Sequence, residues 1–282
     1  MTIRLDQNAY GKNAIRLSKI IRHPDRHELR QISVDVSLEG DFDAVHLAGD
    51  NSKVLPTDTM KNTVYALAKD RLTDSIEEFG LVLADHFLSQ NPQVSKVGIE
   101  VAEDCWARMQ FDGVAHPHAF VNGGSEKHLA GVSRDRQGIV LSAGIGDLLI
   151  LKTTDSGFEG YIRDQYTTLK EAADRILSTS CTARWTYSGV PEGLEGLYSG
   201  IREVLLRSFA HHRSLSVQHT LYAMGEAVLK EYPLVKEITL KMPNKHHILF
   251  NFQPFGLENN NEIFIATGEP YGYITGTVVR EG

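Results

Sequence analysis

The sequence predicts an α+β fold of two tandem repeats, each an antiparallel sheet with helices on one face. Apolar and polar residues alternate, as in half-buried strands, at 10–21, 28–38 and 94–102. Apolar residues recur at spacings of three and four, as on one face of a helix, at about 59–70 and 74–90. A similar order returns farther along the chain, which indicates a duplication.

Turn signals divide the first repeat. His-Pro-Asp at 23–25 joins the first two strands into a hairpin, and Asn-Pro at 91–92 ends the second helix. The segment 112–137 is rich in glycine, histidine and charge, so we expect it to be the long connection of a hairpin. The first repeat with this connection therefore spans 1–137, and the second repeat spans 138–282.

The second repeat begins with a strand-like run at 138–153, which leads to Thr154 and Asp155. Val54 and Leu55 lead in the same way to Thr57 and Asp58, 97 positions earlier. This pair of residues is the first landmark of the duplication.

A helix predicted at about 215–230 supplies the second landmark, because it runs into Pro233 as the earlier helix runs into Pro92. The two prolines lie 141 positions apart. We therefore expect about 44 extra residues in the second copy, including a helical segment at 165–178. Short β-prone pieces such as TGTVV follow within 254–282.

Composition and pattern limit the partners. The 282 residues include 29 basic and 36 acidic side chains, so the net charge of −7 gives no broad attraction for nucleic acid. No stretch approaches the roughly 18 apolar residues of a membrane span. Cys105 and Cys181 lie far apart, which fits a reducing compartment without a disulfide framework or a thiolate zinc site. Exposed edges of the predicted sheet favour homo-oligomerisation.

Motifs for other chemistries are weak. Gly144 and Gly146 lie in an apolar run without the third glycine of a dinucleotide fingerprint. His246 and His247 are adjacent on a predicted strand, so their side chains point to opposite faces and cannot readily share one metal ion. Surface or packing roles for these histidines are the favoured interpretation, and no metal site is expected.

Six segments, in order along almost the whole chain, resemble the urate oxidase (uricase) family. They are YGK at 10–12, PTDTMKNT at 56–63, FEGYIRDQYTTLK at 158–170, DRILST at 174–179, SVQ at 216–218 and PNKH at 243–246. The resemblance implies a tandem tunnelling fold, a homotetramer with active sites at subunit interfaces, and no cofactor. It also implies oxidation of urate by dioxygen and water to 5-hydroxyisourate and hydrogen peroxide.

The family pattern implies which residues would bind urate. Arg175 offers a rigid fork of donors, Gln218 an amide for the opposite edge of the ring, and Phe158 an aromatic face for stacking. The complete implied substrate-binding set is Thr57, Asp58, Phe158, Arg175, Val217, Gln218 and Asn244. Periodicity alone leaves Arg175 open as a solvated helical residue, Phe158 as core and Asp58 as a turn cap.

The same pattern implies a catalytic proton relay of Lys12, Thr57 and His246. Urate reacts with oxygen more readily after losing a proton, and lysine and histidine are side chains that can exchange one. Asn244 and Thr57 would hold dioxygen and then water above the ring. In the family, Lys12 and Thr57 come from one subunit and the other site residues from its neighbour.

Two rival functions stay open from the sequence. A zinc-dependent hydrolase of the same fold would require a metal, and a non-catalytic purine-binding oligomer would keep the ring-binding residues without consuming oxygen. The last residues, Arg280, Glu281 and Gly282, differ from a peroxisomal Ser-Lys-Leu signal. We therefore expect a cytoplasmic location of the bacterial type.

Overall fold

The computed structural model of the chain describes residues 3–73 and 75–281. The chain divides into two compact units, Met1–Gly144 with Thr186–Tyr198, and Ile145–Trp185 with Ser199–Gly282. Each unit combines β-strands with helices, which confirms the predicted α+β class. The division into repeats at residues 137 and 138 stays a prediction.

Most elements of the first unit belong to the first repeat. They are β1 (Tyr10–Arg22), β2 (His27–Gly40), α1 (Asp43–Ala48), α2 (Thr57–Arg71), α3 (Ile76–Gln90), β3 (Val94–Phe111) and β4 (Val114–Asp135). Strands β1 to β4 follow one another in the sheet, and each pairs antiparallel with the next. The predicted hairpin and both predicted helices are confirmed, whereas Asp74, where the second helix was expected to begin, lies outside the described residues.

Alternation in β2 has the physical basis that the sequence suggested. Ile32, Val34, Val36 and Leu38 are almost completely buried, and the polar residues between them point to the other face. Helix α3 packs on β3 and β4, and α2 packs on β1. One face of the sheet thus carries the helices and the core of this unit.

The expectation of a connection at 112–137 was wrong. Most of this segment is strand β4, and the turn consists of Asp112 and Gly113, whose φ angles of 52° and 78° are left-handed. Consecutive positive φ angles in an Asp-Gly pair make a tight hairpin turn, and this dipeptide was the missed signal. The first part of β4 is largely exposed, so it lacks the apolar alternation by which a half-buried strand is recognised.

The second unit contains most of the second repeat. Its elements are β5 (Ile139–Lys152), β6 (Leu177–Tyr187), α4 (Leu197–His211), α5 (Val217–Glu231), β7 (Val235–Lys241), β8 (Asn244–Leu249), the 3-10 turn at Gln253–Phe255, β9 (Phe264–Gly272) and β10 (Thr275–Val279). The first residues of β5 and α4 and the last residues of β6 belong to the first unit. The predicted strand at 138–153, helix at 215–230 and β-prone TGTVV are confirmed.

Helix α5 packs closely on β7 and β10. A Cβ atom at Gly225 of this helix would lie only 2.6 Å from Cγ2 of Val278 on β10. Glycine therefore permits the close approach of helix and strand. Trp185 of β6 is fully buried and is the largest side chain in the core.

The helix expected at 165–178 is absent from the described residues, because this part of the chain is irregular up to the start of β6 at Leu177. The backbone groups of Ala172 and Arg175 form hydrogen bonds with residues far away in the sequence, and not with residues one helical turn away. Phe158 and Ala172 exchange two backbone hydrogen bonds of 2.7 and 3.2 Å, and Arg175 N–H donates to the Ser156 carbonyl at 2.6 Å. These hydrogen bonds take the place of those that a helix would form. The prediction of a helical insertion at 165–178 was therefore wrong. Helix α4 was not predicted.

Elements of the two repeats correspond in detail. Strands β1 and β5 each contain a residue with left-handed backbone, Ala14 (φ 56°) and Asp147 (φ 52°). Each residue donates its backbone N–H to a side chain of a neighbouring strand, to Asp35 at 2.6 Å and to Thr182 at 3.4 Å. The tandem repeat is therefore confirmed.

The Pro92 and Pro233 landmark fits this correspondence, because each proline follows a 15-residue helix. The Thr-Asp landmark was wrong. Thr57 begins α2 after the second strand of its repeat, whereas Thr154 follows β5, the first strand of the other repeat.

Candidate active site

Lys12 lies on β1 opposite Val36, where the regular pairing with β2 is interrupted by a bulge between Lys12 and Ile15. The left-handed backbone at Ala14 and its hydrogen bond to Asp35 belong to this bulge. Bulges redirect side chains at the rims of sheets and beside active sites. Lys12 is half-buried and adjoins this bulge.

Tyr10 ties this strand to the segment before Thr57. Its hydroxyl accepts a hydrogen bond from Leu55 N–H at 2.9 Å and donates to the Leu55 carbonyl at 3.2 Å. Its ring contacts Phe42 edge-on, with centroids 4.8 Å apart. Burial raises the pKa of Tyr10, against the smaller effect of the bond from Leu55, so the hydroxyl keeps its proton and both bonds. The YGK motif contains Tyr10, but nothing in the sequence around it indicates this positioning role.

Thr57 is the first residue of α2, and Asp58 follows it on the exposed side. The Asp58 carboxylate accepts hydrogen bonds from Lys61 and, at 3.0 Å, from Asn62. Lys61 is the main cause of the lowered pKa of Asp58, and the charge of Lys12 adds to it. The first unit therefore brings Lys12, Thr57 and Asp58 into one neighbourhood.

The other predicted residues lie in the second unit, around the segment Asp155–Phe158. On one side of this segment, Ser214 accepts from Gly157 N–H and donates its N–H to the Asp155 carbonyl, both at 2.8 Å. On the other side are the bonds to Ala172 and Arg175 described above. This central segment therefore joins the chain around Phe158 and Arg175 to the residues just before α5.

Phe158 and Arg175 are in direct contact. The guanidinium carbon of Arg175 lies 5.1 Å from the centroid of the Phe158 ring, and the Tyr161 ring stacks on Phe158 at 4.9 Å. Burial lowers the pKa of Arg175 from its very high ordinary value, which leaves the guanidinium charged. Arg175 Nε is buried and has no hydrogen-bond partner among the described residues. The pair thus offers a charged donor beside an aromatic ring.

Asp174 is a further positioning residue that the sequence analysis did not select. Its carboxylate accepts from the Thr154 hydroxyl at 2.7 Å and from Ser156 N–H at 3.1 Å. These bonds lower the pKa of Asp174, the bond from Thr154 having the largest effect. Asp174 therefore fixes the backbone that carries Arg175, and the DRILST motif is the one sequence signal that includes it.

Val217 and Gln218 are the first two residues of α5. The side chain of Ser216 caps this helix by accepting from His219 N–H at 3.1 Å. Val217 is buried, whereas the Gln218 side chain is exposed. The first N–H groups of a helix have no partner within it, so Val217 and Gln218 present backbone donors as well as the Gln218 amide.

Asn244 and His246 lie on β8, where Asn244 Nδ2 is 3.4 Å from His246 Nδ1. Asn244 pairs with Thr179 of β6, four residues after Arg175. His246 also lines an open cleft of about 540 Å³ in the second unit, together with Leu149–Leu151, Ser178 and Ala266–Gly268. Asn244 and His246 are thus brought together on one strand.

Among residues 3–73 and 75–281, no cluster of three or more histidine, cysteine, aspartate or glutamate side chains is arranged to hold a metal ion. Within the same residues, no helix combines the length and apolar character required to cross a membrane.

Comparison with known proteins identifies the family. The model of the family described as Uricase matches residues 8–133 and 141–275. The uricase of Arthrobacter globiformis is 45% identical over 284 residues, covering 99% of this chain and 90% of that protein. The uricase of Dictyostelium discoideum is 40% identical, covering 98% of this chain and 97% of its own length.

Solved structures agree with the sequence comparisons. The crystal structure of the A. globiformis uricase superposes with a TM-score of 0.95 at 43% identity, covering 100% of this chain and 96% of that chain. Urate oxidase from Bacillus sp. TB-90 shares the fold, with a TM-score of 0.83 at 22% identity, covering 97% of this chain and 100% of that chain. The chain therefore belongs to the uricase family.

Proposed function

We propose that the protein oxidises urate with dioxygen and water to 5-hydroxyisourate and hydrogen peroxide, without a metal or an organic cofactor. The observation that carries this proposal is the Phe158–Arg175 contact, in which a charged donor fork adjoins an aromatic ring. A planar, anionic, hydrogen-bonding ring matches both groups. Membership of the uricase family supports the choice of urate.

Binding is assigned to the second unit. Arg175 donates two parallel hydrogen bonds to a carbonyl oxygen and a ring nitrogen of urate, while Phe158 stacks on the face of the ring. The Gln218 amide pairs with the opposite edge, because it carries both a donor and an acceptor. The free N–H of Val217 binds a further ring acceptor at the positive end of α5.

Proton transfer is assigned to Lys12, Thr57 and His246. Removal of a proton from bound urate leaves an electron-rich dianion that reduces dioxygen by two electrons to peroxide. Water then adds to the oxidised ring, and the protons held by the relay complete hydrogen peroxide and 5-hydroxyisourate. Asn244 and Thr57 hold oxygen, peroxide and water in turn through their amide and hydroxyl dipoles.

The site is proposed to be shared between subunits of a homotetramer. Lys12, Thr57 and Asp58 come from one subunit, and Phe158, Arg175, Val217, Gln218, Asn244 and His246 come from its neighbour. Unpaired edges of the sheets give a physical reason for assembly. We propose a cytoplasmic location for this tetramer.

The test is a urate assay with purified protein dialysed against a chelator. We expect loss of urate absorbance, uptake of one dioxygen and release of one hydrogen peroxide for each urate consumed. Activity that disappears on dialysis and returns with zinc or copper would identify a metal enzyme instead. Urate binding without oxygen uptake would identify a non-catalytic purine-binding protein. Arg163→Ala, which alters an exposed arginine of the same segment, is the control for handling losses.

A further inference from the structure

The first repeat has a counterpart of the helix start that carries Gln218. Helices α3 and α5 both have 15 residues, and each is capped by a serine that accepts from a backbone N–H at 3.1 Å, Ser75 from Glu78 and Ser216 from His219. Glu77 is the second residue of α3, as Gln218 is of α5. These two residues lie 141 positions apart, like the two prolines that follow the helices.

The same spacing extends into the following strands. Val94 begins β3 and Val235 begins β7, again 141 positions apart. At this spacing, Glu103 corresponds to Asn244 and Cys105 to His246. Tyr198 lies in the first turn of α4, as Thr57 and Asp58 lie in the first turn of α2. The counterparts of the proposed substrate site are therefore Glu77, Glu103, Cys105 and Tyr198.

Three of these counterparts, Glu77, Glu103 and Tyr198, surround the imidazole ring of His128. Its Nε2 lies 2.8 Å from Glu77 Oε1, and its Nδ1 lies 3.6 Å from Glu103 Oε2. The ring stacks on Tyr198 with centroids 3.8 Å apart and planes inclined by 27°. Only 12% of the His128 side chain and 4% of the Glu77 side chain are exposed. A planar nitrogen heterocycle is thus held at its edge and on its face.

Second contacts hold the surrounding groups in place. Ser75 Oγ donates to Glu77 Oε2 at 2.9 Å, and the Tyr198 hydroxyl donates to Glu126 at 2.9 Å. Arg30 Nε lies 2.7 Å from the other oxygen of Glu103. The carboxylates and the stacking ring are therefore oriented by neighbours other than His128.

We propose that the first unit holds a second copy of the substrate cradle, occupied by the His128 ring and selective for a cationic heterocycle with N–H donors. The comparison with Gln218 and Asn244 rests on the proposed function. In the second repeat these positions carry neutral amides, that of Gln218 at the edge of the anionic purine and that of Asn244 above its ring. In the first repeat carboxylates replace both amides, so the cradle accepts N–H donors and favours positive charge.

The experiment removes the occupant and supplies it from solution. We expect His128→Gly to lower Tm by roughly 5–10 °C, because a buried ring is lost from a chain of this size. Imidazole at pH 6, where most of it is protonated, should restore at least half of this loss in a saturable way. The cation 1,3-dimethylimidazolium, which has no N–H, should restore nothing. His118→Gly, on the exposed part of the same strand, should show no response to either compound.

Dependence on Glu77 separates a cradle from a mere cavity. In the double variant His128→Gly with Glu77→Gln, we expect the imidazole concentration for half-rescue to rise at least tenfold. Equal rescue by both cations, or equal rescue in the double variant, would overturn the proposal. Because these readouts are thermal shifts, they remain valid whether or not urate oxidation is observed.

A second measurement covers the case in which His128→Gly does not fold. Nitrogen-15 labelling of histidine allows the exchange of the His128 ring proton to be followed by NMR in the otherwise unchanged chain. We expect Glu77→Gln to accelerate this exchange at least tenfold. An unchanged exchange rate would overturn the proposal, since the Glu77 carboxylate would then not hold the ring.

Discussion

The guanidinium of Arg175 lies over the ring of Phe158, and the guanidinium of Arg163 lies over the neighbouring ring of Tyr161 at 5.2 Å. The two rings stack on each other with planes inclined by only 12°. The Arg163 side chain is 53% exposed, whereas burial lowers the pKa of Arg175. Two similar arginine–aromatic pairs thus differ chiefly in their access to water.

This difference leads to the first prediction. Arg175→Ala should weaken urate binding roughly ten- to a hundredfold, because an unmatched polar edge of the ligand costs about 1–3 kcal/mol. Arg163→Ala should change binding less than twofold. Anaerobic titration with urate measures both constants without turnover. Equal losses in the two variants would remove Arg175 from the binding site.

Gln218→Glu should impair urate binding at least tenfold, because a carboxylate offers no donor and repels the urate anion. Tyr222→Glu is the matched control, since it adds the same charge to an exposed position one turn along α5. The effect at position 218 should diminish as the pH is lowered and the new carboxyl group becomes protonated. If both variants bind urate alike, the long-range charge of α5 and not contact with Gln218 governs affinity.

Lys12→Met and Thr57→Ala should each lower kcat by roughly 10²–10⁴-fold while changing urate affinity little, because general acid–base assistance contributes about that much. The double variant should be little worse than the poorer single variant, since groups that act as one relay give non-additive losses. Lys96→Met, at an exposed pair with Glu39, should retain activity. Losses that multiply, or that affect only KM, would contradict a shared relay.

The His128–Glu77 pair predicts a pH dependence of stability. Burial lowers the pKa of His128, but bonds to Glu103 and Glu77 outweigh it and raise the pKa overall. Burial raises the pKa of Glu77, but the bonds from His128 and Ser75 outweigh it and lower the pKa overall. The stabilisation that His128 contributes to the folded state is therefore complete below the ordinary histidine pKa of about 6.5. It is lost as the pH rises through the raised pKa of His128.

The contribution of Glu77 to stability depends on pH in the opposite direction. It is complete above the ordinary glutamate pKa of about 4.3 and is lost as pH falls through the lowered pKa. The Tm difference between the unchanged chain and Glu77→Gln should consequently be largest between about pH 4.5 and 6.5 and smaller at pH 9. Thermal unfolding across this range measures the difference. A difference that is constant with pH would show that the pair is not charged in the folded protein.

Strands and helices with one buried face were predictable because burial imposes a period on the sequence. The alternation in β2 and the three-and-four spacing in α3 therefore gave the right elements. Strand β4 was not predicted because its first part is exposed on both faces. The segment at 165–178 misled because its helix-like spacing reports local preference, whereas its backbone bonds join residues distant in sequence.

The site residues were predictable only as members of motifs. Neither Arg175 nor Phe158 is distinguished by periodicity. Their contact depends on two sets of backbone hydrogen bonds within the chain, from Arg175 to Ser156 and between Phe158 and Ala172. Tyr10 and Asp174 were missed as positioning residues because their role lies in hydrogen bonds to backbone groups of other segments. Spacing along one segment carries no information about such partners.

The irregular segment around Phe158 also bears on the energetics of ligand binding. A free loop would have to be ordered when a ligand arrives, at a cost of about 1–2 kcal/mol for each backbone residue that is fixed. Here the bonds from Ser156, Gly157 and Phe158 to Arg175, Ser214 and Ala172 are already formed in the chain alone. The entropic cost of ordering this segment is therefore met during folding. Phe158 and Arg175 are preorganised, so little of the interaction energy of a bound ligand is spent on ordering the chain.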